Sequence, residues 1–210
     1  MAVTSMSSTD LGGTTNVEVV KTPALADPLP IGAAGFALTT FTLSLYNAGI
    51  PHAKGFGVVL PIALFYGGLA QFMAGMWEIR RNNMFGAMVF TSFGAFWMSF
   101  AAYVHFILPT LPPAIAGQVT GIFLVMWTVV IFYLTIPTFK LNGALLATFL
   151  ALDVTVILLD IGNFNGSTSL VKAGGYFGML TALLAWYLSA ATLINSTFGR
   201  TVLPLFPFSS

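Results

Sequence analysis

Two aspartates in an otherwise apolar run are the residues of this chain best suited to chemistry inside a membrane. Asp153 and Asp160 are seven residues apart between Asn142 and Ile161, so on a helix they share a face, about 10 Å apart along the axis. A charged side chain at the centre of a spanning helix costs about 2.5–3.5 kcal/mol on insertion scales. An acidic residue that persists there either couples proton movement on a wet path or is protonated and bonded to a neighbouring helix. Asp153, near mid-run, is a candidate proton-coupling carboxyl, whereas Asp160 lies closer to the interface and fits the bonded role. Uncharged polar residues are more numerous. Thr39, Thr40, Ser44 and Asn47 recur at spacings of four and three on the first apolar run, with Gln71, Ser92 and Asn163 on later ones. Their hydroxyls and amides can hydrogen-bond a carboxylate without a fixed countercharge, although Ser and Thr in such helices also bond their own backbone. No Lys or Arg lies within a run, so an anion here would be handled by dipoles or would cross protonated. His52 and His105 lack metal-ligand spacing, and no zinc-protease, phosphate-loop or serine-elbow motif occurs. The chain has no cysteine. Neither an enzyme nor an ATP-driven pump is indicated, and no cofactor or metal is expected.

The elements that must position these groups are membrane spans. Of 210 residues 57% are hydrophobic and 6% charged, with mean hydropathy +0.92, whereas a soluble domain carries about 25% charged residues. At about 20 apolar residues per crossing the punctuation delimits six helices: Ile31 to Gly49, Phe56 to Trp77, Met84 to Leu108, Gly117 to Ile136, Asn142 to Ile161 and Ala173 to Ile194. The expected fold is all-α, a polytopic membrane protein of six transmembrane helices. Residues 1–26, rich in Ser, Thr, Asp and Gly, read as a disordered cytoplasmic tail without a secretory signal. Residues 27–204 form the transmembrane domain and 205–210 a cytoplasmic C-terminal tail. Lys21, Arg80, Arg81, Lys140 and Arg200 fall on one side of the membrane and only Lys54 and Lys172 on the other, all seven outside the spans. By the positive-inside rule both termini are cytoplasmic. Trp77, Tyr103, Tyr133 and Tyr176 sit near span ends, where amphipathic rings prefer the headgroup level. Small residues (Gly68 and Gly75; Gly174, Gly178, Ala182, Ala185 and Ser189) mark close helix approaches, within one chain or between subunits.

The stretch Asp27-Pro28-Leu29-Pro30-Ile31-Gly32-Ala33-Ala34-Gly35-Phe36 resembles the NPAPLGLxGF motif that opens the first helix of the acetate uptake transporter family, the succinate–acetate permeases of the YaaH/SatP type. The resemblance continues through Leu45 to Gly49, Phe65 to Gln71, Phe90 to Trp97, Ile161 to Asn163 and Phe198 to Pro204, and so covers nearly the whole chain beyond the tail. It implies cytoplasmic termini, a homohexamer in the cell membrane with a path through each protomer, and contact with membrane lipid. It also implies transport of acetate, succinate or another small carboxylate, by proton-coupled symport or as a selective anion channel. The family's apolar constriction maps to Phe36, Phe93 and Leu152, with Phe93 where the family usually carries Tyr. Ala185 matches a position that influences substrate size. Asp27 stands for the motif's Asn and Ala33 for a Leu, while Asp153 and Asp160 have no acidic counterpart in the family pattern. A membrane sensor or scaffold that keeps the fold without transport is the competing reading.

Overall fold

A computed structural model describes residues 25–208; most of the expected N-terminal tail, including Lys21, lies outside the described residues. Among the described residues six helices are long and apolar enough to cross a membrane: α1 (Leu29–Asn47), α2 (Ala53–Arg80), α3 (Met84–Thr110), α4 (Pro113–Thr138), α5 (Gly143–Phe164) and α6 (Thr168–Phe198). The expected all-α polytopic fold is therefore the observed one. Most helices overrun the expected apolar windows by a few residues, and three of them start at an Asn or Ser side-chain cap. The Asn83, Asn142 and Ser167 side chains accept from the N–H groups of Gly86, Leu145 and Leu170. At the far end of α6, Gly199 adopts a left-handed φ of 63°, which a side chain would strain. Consequently Lys172, expected outside the spans, lies in the early turns of α6, and Arg80 ends α2 with its guanidinium 5.3 Å from the Trp77 ring centre.

Helix α1 is the hub. It packs extensively on α6 and on the middle of α2, while α5 packs on α6 and on α4, and α3 on α2. The helices thus run α4–α5–α6–α1–α2–α3 around the bundle, and α3 meets α4 with few close backbone approaches. Aromatic side chains fill that seam. Phe96 stands 6.0 Å from Phe123 and 5.4 Å from Trp127, between ring centres. Tyr103, expected at the headgroup level, is instead buried there, 5.1 Å from Phe123 in a near-parallel stack, its hydroxyl 2.7 Å from that of Thr120.

Helix α2 is not regular. A 3-10 turn over Ala53–Val58 leads into α-helix, and Phe65–Ala70 forms a wider π-helical turn that ends at Gln71. At Gly35 of α1 an added Cβ would sit 2.5 Å from the Tyr66 carbonyl oxygen. Only glycine lets the two backbones meet there. The small residues of α2 and α6 serve the same purpose within the chain: an added Cβ at Gly75 would meet the Thr91 backbone, and one at Gly174 the Leu159 side chain. Ser189 donates a 2.7 Å hydrogen bond to the Pro30 carbonyl. Residues 202–204, after α6, are held by Asn195 and Tyr187. Leu205 to Phe208, expected as part of a tail, pair with the start of α5 instead. The Gly143 and Ala144 N–H groups donate to the Phe206 and Leu205 carbonyls, and Phe208 N–H donates to Leu141.

Candidate functional site

Three cavities lie in series through the bundle. The first, about 220 Å³, opens at the end of the bundle carrying Asn83, Leu141 and Asn142 and reaches inward to Phe36, Phe93 and Leu152. The second, about 70 Å³, begins at those three residues and runs between α1, α3, α4 and α5. The third, about 210 Å³, lies toward the other end, between Phe56, Tyr103, Leu108 and Asn163. Phe36, Phe93 and Leu152 are the side chains that the first two cavities have in common, and all three are buried. The Phe36 and Phe93 rings stack with centres 5.3 Å apart, and Phe149 backs Phe93 at 6.1 Å. With no hydroxyl on Phe93 the partition is wholly apolar, so a solute passing it must leave its water behind. A second partition, shared by the second and third cavities, consists of Leu43, Asn47, Leu124 and Leu159; of these only Asn47 was a candidate from the sequence.

Several polar groups on this path are without partners among the described residues. Gln71 is 0% exposed, lines the first cavity, and neither Oε1 nor Nε2 is hydrogen-bonded. The π-helical turn just before it sets the rotation at which α2 presents Gln71; such turns recur at functional sites. Thr40 Oγ1 and Trp97 Nε1 are likewise buried and unbonded, and both residues line the second cavity with Ser44 and Asn47. A buried polar group left unpaired costs about 1–3 kcal/mol, so these groups are set to receive something the protein does not supply. Trp97 was missed as a site residue because an indole in an apolar run reads as packing.

The remaining expected residues divide by position. Ala185 lines the first cavity beside the partition, and Asn163 lines the third while its amide donates 2.8 Å to the Leu159 carbonyl. Thr39, Ser92 and Asp153 line none of the three cavities. Thr39 donates to the Gly35 carbonyl at 2.8 Å and faces Gly67 of the π-helical turn, because adjacent helical positions point about 100° apart. Asp153 accepts from Thr135 at 3.0 Å and Asp160 from Thr128 at 2.8 Å, both threonines on α4. The two acidic residues thus tie α5 to α4 instead of facing the path.

One acidic residue does face it. Glu78, seven residues after Gln71 and expected in the break after the second span, is on α2, fully buried, and lines the first cavity. Its Oε2 accepts from Asn83 at 3.0 Å and from Arg81 at 3.3 Å, while Oε1 has no partner among the described residues. Arg81 also pairs with Asp27 at 2.7 Å, so the Asp at the motif's first position ties the start of α1 to the end of α2. The missed signal was the seven-residue spacing, which puts Gln71 and Glu78 on one face.

A profile of the GPR1/FUN34/yaaH family matches residues 11–210. The chain belongs to this family. It is 38% identical over 205 residues to ammonia transport outward protein 2 of Saccharomyces cerevisiae, covering 94% of this chain and 72% of that one. It is 36% identical over 181 residues to the succinate-acetate/proton symporter SatP of Escherichia coli K12, covering 86% and 95%. The fold superposes on a solved structure of the bacterial acetate channel SatP with TM-score 0.81, at 36% identity, covering 87% of this chain and 99% of that chain. Those relatives are transporters or channels, and this chain is a multi-pass membrane protein of their kind.

Proposed function

We propose that the protein carries acetate and related short-chain carboxylates across the cell membrane, with both termini in the cytoplasm. The observation that carries this reading is the path of three cavities in which the unpaired buried groups, Thr40 Oγ1 and Trp97 Nε1, can donate hydrogen bonds and no Lys, Arg or His contributes to the lining. Donors without a fixed cation suit a small carboxylate, whose two oxygens accept, and they bind it weakly enough to release it. An ammonium ion only donates, so it could not use the indole N–H. The names of the symporter and channel relatives support the same substrate class. Phe36, Phe93 and Leu152 serve as the gate, with Ala185 limiting substrate size beside it. Thr40, Ser44, Asn47, Gln71 and Asn163 form the polar side of the path. A homohexamer, with exposed apolar side chains such as Ile122, Met126 and Val129 of α4 facing lipid or a neighbouring subunit, fits the surface composition.

Labelled acetate uptake into proteoliposomes tests this reading. Saturable flux inhibited by propionate or succinate is expected, and no flux above protein-free vesicles would leave a sensor or scaffold as the function. Accumulation of acetate against its own gradient, driven by a pH gradient, marks symport; equilibration alone marks a channel. Phe93→Tyr places a hydroxyl in the gate. It should change the acetate-to-succinate rate ratio by about threefold, within the worth of one net hydrogen bond, and an unchanged ratio would return Phe93 to packing.

A further inference from the structure

We propose that Glu78 binds one proton together with each carboxylate substrate in the first cavity, so that substrate occupancy is proton-linked at this residue. The inference rests on the carboxylate-transport reading above and assigns a residue to its proton. Glu78 is fully buried, and Oε1, without a partner among the described residues, is on a side chain that lines the cavity with the unpaired amide of Gln71. A carboxylate substrate entering here meets a second carboxyl at close range, and two carboxylates sharing a site cannot both stay ionised.

The surrounding charges do not relieve this repulsion. From the α2 end, Arg81 reaches Glu78 Oε2 at 3.3 Å, but its shorter contact, 2.7 Å, is with Asp27 at the start of α1. Two acidic groups therefore share one guanidinium. From α3 the neighbours are Asn83, a neutral amide donor, and Gly86, whose missing Cβ makes room for the carboxyl. From the α4–α5 connection comes Asn142, whose side chain caps its own helix. Arg80 is exposed over Trp77, and Lys140 is exposed and off the lining. With Asp27, Arg81 and Glu78 all ionised the group carries one net negative charge, and a bound carboxylate makes it two. A single proton restores the balance. It comes from water at the open end of the cavity, is held covalently on Glu78 Oε1 or on the substrate oxygen it faces, and hydrogen-bonds the other. When the substrate moves on past Phe36 and Phe93 as the neutral acid, the proton leaves with it and Glu78 is again a carboxylate.

The test is the pH dependence of labelled acetate exchange in proteoliposomes, with equal pH on both faces, at constant acetate anion and corrected for protein-free vesicles. Wild type should lose about tenfold in rate per pH unit above its midpoint, the slope of one proton. Glu78→Gln, a neutral isostere, should make the rate independent of pH over the same interval. Asp27→Asn removes a negative neighbour and leaves Arg81 to Glu78 alone. The carboxylate is then easier to form, so the slope is kept while the midpoint moves to lower pH and the alkaline-limb rate falls about threefold. A Glu78→Gln protein that keeps the wild-type slope overturns the proposal, as does wild-type flux that shows no pH slope. Should Glu78→Gln fail to fold, an unmoved Asp27→Asn midpoint overturns it by itself. Absence of any protein-dependent acetate exchange in wild type would instead sink the transport reading on which the proposal stands.

Discussion

Two helices carry polar side chains seven residues apart, and the two pairs have opposite fates. On α2, Gln71 and Glu78 face a cavity, and three of their four terminal polar atoms lack a partner among the described residues. On α5, Asp153 and Asp160 face α4, where Thr135 and Thr128, also seven apart, each donate to one of them. The antiparallel course of α4 and α5 brings the two pairs into register, a pair of cross-links between neighbouring helices. Equal spacing says only that two side chains share a face; the neighbour opposite decides what they do. Where a helix supplies hydroxyls the polar pair becomes a fastening, and where it supplies empty volume the pair lines a cavity with atoms left unpartnered among the described residues. Asp160 Oδ1 remains unpartnered as well, but the residue lies off the three cavities.

Substitution at each pair sharpens this contrast. Gln71→Leu should cut acetate flux about tenfold, equivalent to about 1.4 kcal/mol of lost interaction. It should also raise thermal stability by about 1 kcal/mol, because it removes two buried polar atoms that nothing in the protein satisfies. Flux assays and thermal unfolding in detergent read both, and a stability loss would mean that the amide has a structural partner. Thr128→Val should do the reverse. It strips Asp160 of its donor at a cost of about 1–3 kcal/mol in unfolding stability, while flux per folded molecule stays at the wild-type value. A transport defect without a stability defect would move Asp160 from fastening to path. The smallest effect is expected for Asp153→Asn, since the amide oxygen still accepts from Thr135 on a half-buried site. Stability should change by less than about 0.5 kcal/mol, and the pH profile of acetate exchange should overlie that of wild type. A flattened profile would restore Asp153 as a proton-coupling residue and break the contrast.

The number of spans and their approximate course were legible because hydropathy dominates in a bilayer, where every backbone group must be satisfied within the helix. The ends were less so. Ser167 looks like a loop residue in a hydropathy profile, yet as a cap it starts the last helix at Thr168, ahead of the expected Ala173, whereas the helices capped by Asn83 and Asn142 begin within a residue of where they were expected. That same error hid Glu78: a Glu beside two arginines reads as a solvated turn, and only the packing of Asn83 and Arg81 around its Oε2 makes it an interior residue. On α1 the polar stripe was half right. Thr40, Ser44 and Asn47 face the path, while Thr39, one residue before Thr40, turns toward α2. Phe36 and Phe93 could not be picked out from among 20 phenylalanines, nor Leu152 from the many leucines, by spacing at all, since the common property of the three is that they come from three helices and meet in space.

The strap formed by Leu205 to Phe208 carries a consequence for the order in which the molecule is made. The first four N–H groups of α5 are all accounted for: Leu145 and Leu146 by Asn142, and Gly143 and Ala144 by carbonyls of Leu205 and Phe206. Asn142 is synthesised alongside the helix it caps, but residues 205–208 leave the ribosome only after α6 has been completed. Until then α5 enters the membrane with two backbone donors exposed at its leading turn, beside the residues that will rim the first cavity. Its final seating therefore waits until α6 has been completed and residues 205–208 have followed it, and the mouth of the path takes its mature shape only once all six helices are threaded.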